Sequence, residues 1–287
     1  MRKNFYINLT NGLGNNIFQI VSSILLFKDY KKVKFVLIPP FSDYYALPVI
    51  QKLFGENIKL SISKFPPKFK IKITDNNYKF FRLFSFFLKL PFNFFSKGYY
   101  EDYKYYINQI TLIKSLFKIK KFDLKKDTLV LHLRTGDRLY YEDQLKYRKS
   151  YHDFNSVINS FEYKNLYVVT DFPSLNHISI EKFKELKFHI STKTNNDKFI
   201  VGSLEYINSL FSLLKKKGVK HFSSSLYEEF CFLSSSKKII FENSTIAWWA
   251  SFISSANEVR LSKNWRPWKG KSNKNLAKVP FENWKTW

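Results

Sequence analysis

Hydrophobic and polar positions alternate in two rhythms along this chain, and together they predict an α/β protein. Apolar residues at 5–9 and 33–38 fit two strands, and within residues 15–30 apolar positions recur at three- and four-residue spacing, as in a helix. Gly12 and Gly14 lie in the turn between the first strand and this helix. A strand, a helix and a second strand in this order predict a βαβ unit.

Beyond residue 127, short apolar runs alternate with helical patterns. Strands are predicted at 129–133, 166–170, 188–190, 219–222, 238–241 and 259–261, and helices at 204–217, 227–236 and 245–254. This alternation predicts a parallel sheet that is covered on both faces. Residues 41–106 show neither rhythm and are predicted to be irregular. We therefore divide the chain into two α/β domains, 1–125 and 126–287.

Length and composition fit this division and narrow the choice of partners. A chain of 287 residues that is 45% hydrophobic can bury a core in each domain. The net charge of +25 favours an anionic partner, which is a polyanion, an anionic membrane surface or an acidic substrate. The single cysteine, Cys231, excludes an intramolecular disulfide and fits a cytoplasmic location. We expect no signal peptide, and the interrupted apolar stretch at 80–95 is too short to span a membrane.

The first candidate site is the strand end within LVLHLRTGDR, which contains His132, Arg134, Gly136 and Asp137. Ligands of open α/β sheets bind at the carboxyl ends of the strands. Arg134 presents a fork of donors suited to a phosphate, and Gly136 allows close approach of the backbone. Asp137 can orient Arg134 or bind a sugar hydroxyl. An ion pair followed by a turn is the structural alternative, and the spacing alone leaves both interpretations open.

The second candidate is the strand-to-helix junction in IIFENSTIAWWAS. Asn243, Ser244 and Thr245 are good N-cap residues, and the N-terminus of a helix can bind an anion. The alternative is a capped helix whose tryptophans pack in the core. Because adjacent residues of a helix point in different directions, we expect one tryptophan to reach a groove and stack on a sugar ring, and we assign this role to Trp248 rather than Trp249.

Two further segments are less specific. The turn in NGLGNNIFQI contains Gly12, Gly14 and Asn15 but lacks the spacing of a dinucleotide fingerprint or a P-loop, so it predicts neither an NAD site nor an ATPase. Asp171 follows the strand LYVVT directly, where a carboxylate can bind guanine or ribose donors. A helix or turn cap is an equal alternative for Asp171.

In this order and at these separations, the four segments resemble the α-1,2-fucosyltransferases of glycosyltransferase family 11. The family has a GLGNQ-type loop, which corresponds to GLGN at 12–15, and an HxRxGD strand end, which is present at 132–137. It also has a strand-end Ser-Asp, which corresponds to Thr170 and Asp171, and an NSTFSWWA segment, which corresponds to NSTIAWWA at 243–250. The resemblance implies a GT-B-like fold with two Rossmann-like domains facing a central cleft. The N-terminal domain would take the acceptor, and the C-terminal domain would bind the nucleotide sugar.

The resemblance also implies an activity. Such an enzyme is an inverting, metal-independent glycosyltransferase that moves L-fucose from GDP-fucose, without a further cofactor, to the 2-hydroxyl of a galactose-type residue in a surface glycan such as lipopolysaccharide or O-antigen. Arg134 would neutralise the departing β-phosphate. The other donor-binding residues implied are His132, Asp171, Asn243, Ser244, Thr245, Gly12, Gly14 and Asn15.

Two departures from the family pattern keep a second donor open. Thr135 stands where the family often has a second arginine, and Glu242 stands where a small residue is usual. A carboxylate beside a diphosphate is unfavourable unless it points away or meets a hydroxyl. A glycosyltransferase of the same fold that uses another nucleotide sugar is therefore an alternative. For the catalytic base, Asp137 is the first candidate, followed by Glu242 and Glu101.

The segment 78–106 alternates large aromatic residues with lysine and arginine. Two interpretations are open, the core of the first domain and a face that contacts an anionic membrane, where the acceptor would be a lipid-linked glycan. Tyr99 and Tyr100, near the end of the segment, are candidates for acceptor binding. The charge also suggests a nucleic-acid-binding protein, but we find no recognisable binding module and expect no nucleic-acid partner. The expected location is the cytoplasm, with the inner face of the membrane as the open alternative.

Overall fold

The computed structural model describes residues 3–10, 12–41, 44–134, 149–185, 197–263 and 280–287. The chain forms two compact units, Met1–Lys120 and Lys121–Trp287. Each unit is built around its own parallel sheet. The predicted α/β class and the two parallel sheets are confirmed.

The first unit contains five parallel strands in the order β3-β2-β1-β5-β4. The strands are β1 (Lys3–Asn8), β2 (Val33–Ile38), β3 (Leu60–Ile62), β4 (Ile71–Ile73) and β5 (Phe94–Ser96), and the helices are α1 (Leu13–Ile24), α2 (Leu47–Phe54), α3 (Tyr78–Leu83) and α4 (Ile110–Leu116). The prediction that 41–106 is irregular is wrong, because three strands and two helices lie there. Each of these strands has three residues, too few for alternation to be visible in the sequence.

The second unit contains six parallel strands in the order β11-β10-β9-β6-β7-β8. The strands are β6 (Thr128–Leu133), β7 (Asn165–Thr170), β8 (Lys220–His221), β9 (Lys238–Phe241), β10 (Glu258–Leu261) and β11 (Trp284–Thr286), and the helices are α5 (Tyr151–Asn159), α6 (Ile180–Glu185), α7 (Asp197–Lys216), α8 (Leu226–Ser235) and α9 (Thr245–Ile253). The predicted strand at 188–190 lies outside the described residues, and β11 was not predicted.

Both faces of the second sheet are covered, as the sequence predicts. On one face, alternate residues of β6, including Leu129, Leu131 and Leu133, pack with the apolar sides of α5, α6 and α7 in one core. On the other face, the ring of Tyr167 on β7 contacts that of Phe232 on α8 edge-on, with the ring centroids 5.4 Å apart. Cys231, also on α8, is fully buried.

Candidate functional site

The strand order of the second sheet indicates where a ligand would bind. The chain starts at β6, continues through β7 and β8 on one side, and then passes to β9, β10 and β11 on the other side. The direction of winding therefore reverses between β6 and β9. Open parallel sheets bind ligands outside the carboxyl ends of their strands at such a reversal. The first two candidate motifs follow β6 and β9 at this position.

The register of the sheet brings predicted site residues to one level of this edge. The pairing of β6 with β7, continued by one residue, makes Arg134 level with Asp171. The pairing of β6 with β9, continued by two residues, makes Arg134 level with Asn243. The cationic side chain of Arg134 thus originates between the carboxylate residue Asp171 and the amide residue Asn243.

His132 is buried at the end of β6 and is held in its neutral form. Burial, with a smaller contribution from the positive charge of Arg134, lowers the pKa of His132 to about 3. Its Nδ1 atom and the hydroxyl of Thr170 have no hydrogen-bond partner among the described residues. Buried polar atoms are rarely left unpaired, so both atoms are candidates for contact with a ligand. The neutral imidazole brings no charge to an anion.

The junction between β9 and α9 is a capped helix start. The Oγ atom of the buried Ser244 accepts a hydrogen bond from Ala247 N at 3.3 Å, which is the structural alternative left open by the sequence. Asn243 and Thr245 are half-buried on either side of the cap. The helix dipole and the remaining N–H groups of the first turn favour an anion here. The predicted donor contacts of these three residues stay predictions.

Both tryptophans of α9 are fully buried, so the expectation that one of them reaches a groove is wrong. The ring of Trp248 stacks on Phe252 at 4.9 Å and lies 6.0 Å from the ring of Trp284 on β11. Helix α9 packs against both α8 and β9, which encloses more than one side of the helix. Trp248 and Trp249 point in different directions from the helix but are both enclosed by neighbouring elements. Trp248 therefore has no exposed face for an acceptor sugar.

Glu242 anchors the start of α5. One oxygen of its carboxylate accepts a hydrogen bond from Lys149 N at 3.3 Å, and the hydroxyl of Tyr206 donates to Lys149 O at 3.0 Å. The ammonium group of Lys149 lies 5.0 Å from the ring centroid of Trp287. The hydrogen bond from Lys149 N gives Glu242 a structural role at the start of α5.

Glu229, in the first turn of α8, is a candidate site residue that the sequence did not indicate. Burial raises the pKa of Glu229 to about 7, the hydrogen bond from Ser224 N opposes the rise, and the negative charge of Asp171 adds to it. Perturbed carboxyl groups of this kind are concentrated at functional sites. In the sequence, Glu229 has the ordinary appearance of an acidic residue in a first helical turn, which conceals its proximity to Asp171.

At the carboxyl edge of the first sheet, a network of amides joins the loops that follow β1 and β5. Thr10 N donates to Asn16 Oδ1 at 3.1 Å and to Gln19 Oε1 at 3.2 Å. Asn16 Nδ2 donates to the hydroxyl of Tyr44 at 2.7 Å, and Gln19 Nε2 donates to Gly98 O at 2.9 Å. This network was not predicted from the sequence, although two amides within a largely apolar helix were a signal that partners must exist.

The loop before α1 depends on Gly12, whose φ of 93° is rarely adopted by residues with a side chain. Gly14 and Asn15 belong to the first turn of α1 rather than to a loop. Their predicted contact with the donor stays a prediction.

Tyr100 is a structural residue. It is buried with a φ of 54°, its hydroxyl donates to Ile73 O at 2.8 Å, and its backbone N–H donates to the carboxylate of Asp75 at 2.6 Å. The prediction that Tyr100 binds the acceptor is therefore wrong, because its ring faces the core. Tyr99, whose N–H also donates to Asp75, is half-exposed and stays a candidate for acceptor binding. Glu101 stays a candidate for the catalytic base.

Thr135, Gly136 and the first candidate base, Asp137, lie outside the described residues. Within the described ranges, no group of three or more histidine, cysteine, aspartate or glutamate side chains could hold a metal ion. Among the same residues, no helix has the length and apolar character needed to cross a bilayer.

No protein-family model matches this chain, and no curated protein matches it in sequence. A similar solved structure is the crystal structure of NodZ alpha-1,6-fucosyltransferase soaked with GDP-fucose. It has 12% sequence identity and a TM-score of 0.43, with 90% of this chain and 94% of that chain covered. A likeness at this level does not assign an activity to the chain.

Proposed function

We propose that this protein is a nucleotide-sugar glycosyltransferase that binds the diphosphate of its donor at the carboxyl ends of β6 and β9. The observation that carries the proposal is that Arg134, Asn243 and the start of α9 follow the two strands between which the winding reverses. A guanidinium fork and the N–H groups of a helix start are complementary to phosphate oxygens.

The nucleoside would lie toward β7. Asp171 and Glu229 supply carboxyl oxygens that can accept hydrogen bonds from ribose hydroxyls or from the N–H groups of a base. The neutral imidazole of His132 can contribute one further hydrogen bond without adding charge. These contacts are consistent with a purine such as guanine, whose edge carries adjacent N–H donors.

The finer assignment is transfer of L-fucose from GDP-fucose to the 2-hydroxyl of a galactose-type residue in a surface glycan. Its support is the motif resemblance to the α-1,2-fucosyltransferases. In this proposal the acceptor hydroxyl attacks the anomeric carbon while the bond to the β-phosphate breaks, which inverts the configuration. Arg134 stabilises the charge that develops on the departing GDP without a metal ion. The proton of the acceptor passes to a base, for which Asp137 stays the first candidate.

Calorimetric titration of the full chain with GDP, UDP and CMP tests this proposal. We expect GDP to bind more tightly than the other two nucleotides, and GDP-fucose to release GDP in the presence of a galactoside acceptor. Preferential binding of UDP would replace the fucosyl donor by another nucleotide sugar. Failure of all three nucleotides to bind, with an intact circular dichroism spectrum, would contradict the glycosyltransferase proposal.

A further inference from the structure

Exposed apolar side chains are concentrated in one part of the first unit. Among the described residues, thirteen large apolar side chains are exposed, and nine of them lie between positions 62 and 92. Leu83 is 76% exposed and Phe69 is 89% exposed. Monomeric soluble proteins rarely expose extended apolar patches, and such patches mark interaction sites.

Seven of these side chains form what we call the aromatic surface: Phe69, Phe80, Leu83, Phe84, Phe86, Leu90 and Phe92. The ring of Phe84 lies 5.0 Å from that of Phe80 and 6.2 Å from that of Phe86. The aromatic residues of this segment therefore divide in two, because Tyr78 and Phe81 face the core. The core interpretation of the segment 78–106 is confirmed for Tyr78 and Phe81, and the membrane interpretation stays a prediction for the exposed members.

Phe69 and Phe92 extend the aromatic surface to the edge of the sheet. They stand just before the neighbouring parallel strands β4 and β5, and Asn93 Nδ2 donates to Phe69 O at 3.3 Å. This is the amino-terminal edge of the first sheet. The loop of Gly12 and the loop of Tyr99 follow the carboxyl ends of β1 and β5, so they lie at the opposite edge.

The aromatic surface is surrounded by positive charge. Residues 57–100 contain eight lysines and one arginine but a single acid, Asp75. The carboxylate of Asp75 accepts hydrogen bonds from two backbone N–H groups, at 2.6 and 3.1 Å. Lys79 and Lys89 are exposed within the segment that carries the aromatic surface. A partner of this surface should be anionic and should accept protruding apolar side chains.

We propose that the aromatic surface docks the protein on a lipid bilayer that contains anionic lipids. Phenylalanine and leucine side chains insert at the boundary between headgroups and acyl chains, and lysines near the surface are attracted to anionic lipid. A bilayer accepts protruding side chains such as Leu83 and Phe69 without a complementary pocket. Docking through this surface leaves the carboxyl edge of the first sheet directed away from the lipid. This inference is independent of the proposed function.

Flotation of the full chain with lipid vesicles tests the proposal. We expect binding to phosphatidylcholine vesicles that contain about one third phosphatidylglycerol, and much weaker binding to phosphatidylcholine alone. The double variant Leu83→Ser/Phe86→Ser should bind the anionic vesicles at least about tenfold more weakly. The matched control, Val201→Ser/Phe41→Ser, removes an exposed aliphatic and an exposed phenylalanine outside the aromatic surface and should bind like the parent protein.

Charge is tested separately with Lys79→Gln/Lys89→Gln, which should weaken binding roughly fivefold for each lysine removed and reduce its dependence on salt. Phe69→Ser provides a second apolar variant if the first fails to fold. Absence of vesicle binding by the parent, or equal loss in the matched control, would overturn the proposal. The proposal would also be overturned if the apolar double variant lost self-association or nucleic-acid binding but still bound the vesicles.

Discussion

The two sheets of this protein differ in the buried polar groups that lie at the carboxyl edge near their first strands, β1 and β6. At the carboxyl edge of the first sheet, the side-chain amides of Asn16 and Gln19 use both their oxygen and their nitrogen atoms within the unit, and the Oγ1 atom of Thr10 beside them has no partner among the described residues. In the second sheet, the buried Nδ1 of His132 and Oγ1 of Thr170 have no partner among the described residues.

We interpret the paired amides as part of the scaffold, and we predict that the unpaired atoms of His132 and Thr170 contact a ligand. A network whose donors and acceptors are paired stabilises the loops that it joins, and the loss of one member leaves the others unsatisfied. The unpaired buried atoms of His132 and Thr170 are candidates for ligand contact. We therefore expect substitutions in the amide network to lower stability, and substitutions at the carboxyl ends of β6, β7 and β9 to lower binding and turnover.

The largest expected effect is on turnover. Arg134→Ala should lower the rate of GDP release from GDP-fucose by about 100- to 1000-fold, because a preorganised charge on the leaving group is lost. The rate of the Arg134→Lys variant should lie between those of the parent and the alanine variant, since lysine keeps the charge but not the planar fork. Steady-state kinetics measures both, and thermal unfolding should show that each variant is folded. Undiminished turnover in the alanine variant would exclude Arg134 from the reaction.

The next effect is on stability. Gln19→Ala should lower the free energy of unfolding by about 2–3 kcal/mol, because Gly98 O loses the hydrogen bond from Gln19 Nε2. The backbone N–H of Thr10 loses one acceptor, Gln19 Oε1, and keeps the other, Asn16 Oδ1. Denaturant titration measures the change. The affinity for GDP of the folded variant should stay within about twofold of the parent value, since the second sheet is unchanged. A variant of full stability would show that the amide network is not part of the scaffold.

A smaller effect depends on pH. Because burial raises the pKa of Glu229 from 4.5 to about 7, its contribution to stability is fully present below pH 4.5 and is lost as the pH rises through 7. Glu229→Gln cannot ionise at this position. As the pH rises from 5 to 8, its free energy of unfolding should therefore increase by about 1–2 kcal/mol relative to that of the parent. Unfolding midpoints across this range measure the gain. Glu228→Gln, in the same helical turn, controls for the loss of one negative charge.

The smallest expected effect is that of Thr170→Val. Because the hydroxyl has no partner among the described residues, its replacement by a methyl group should change stability by less than about 1 kcal/mol, while binding of GDP weakens. Ser96→Ala is the contrasting variant in the first sheet, where the hydroxyl donates to that of Tyr100 at 2.9 Å. It should cost about 1 kcal/mol. Equal costs for the two variants would remove the distinction between the unpaired hydroxyl of Thr170 and the paired hydroxyl of Ser96.

Local rules predict several strands and the start of α9 well, but the predicted helix at 15–30 ends at Ile24, and α7 begins seven residues before its predicted start at 204. The strands at 33–38 and 238–241 have the bounds that the apolar runs predict, and α9 starts at Thr245 because Ser244 caps it. The predicted strand at 5–9 is shifted by one or two residues from β1. Periodicity needs several residues to be visible, which is why the three-residue strands between 60 and 96 were not predicted.

The candidate site was partly predictable for a related reason. Arg134 and Asn243 are marked by their position at strand ends, which is a local property. The corrections concern tertiary packing, since neither the burial of Trp248 nor that of Tyr100 follows from its neighbours in sequence. The proximity of Glu229 to Asp171 joins positions far apart in the chain, and no local pattern contains that information.

The buried Cys231 has a practical consequence for measuring domain motion. It is the only cysteine of the chain, and its side chain is fully buried in α8. Cysteines introduced at exposed lysines, for example Lys64→Cys in the first unit and Lys216→Cys in the second, can therefore be labelled without removing a native thiol. Paired spin labels or fluorophores at these positions would report the distance between the units with and without nucleotide.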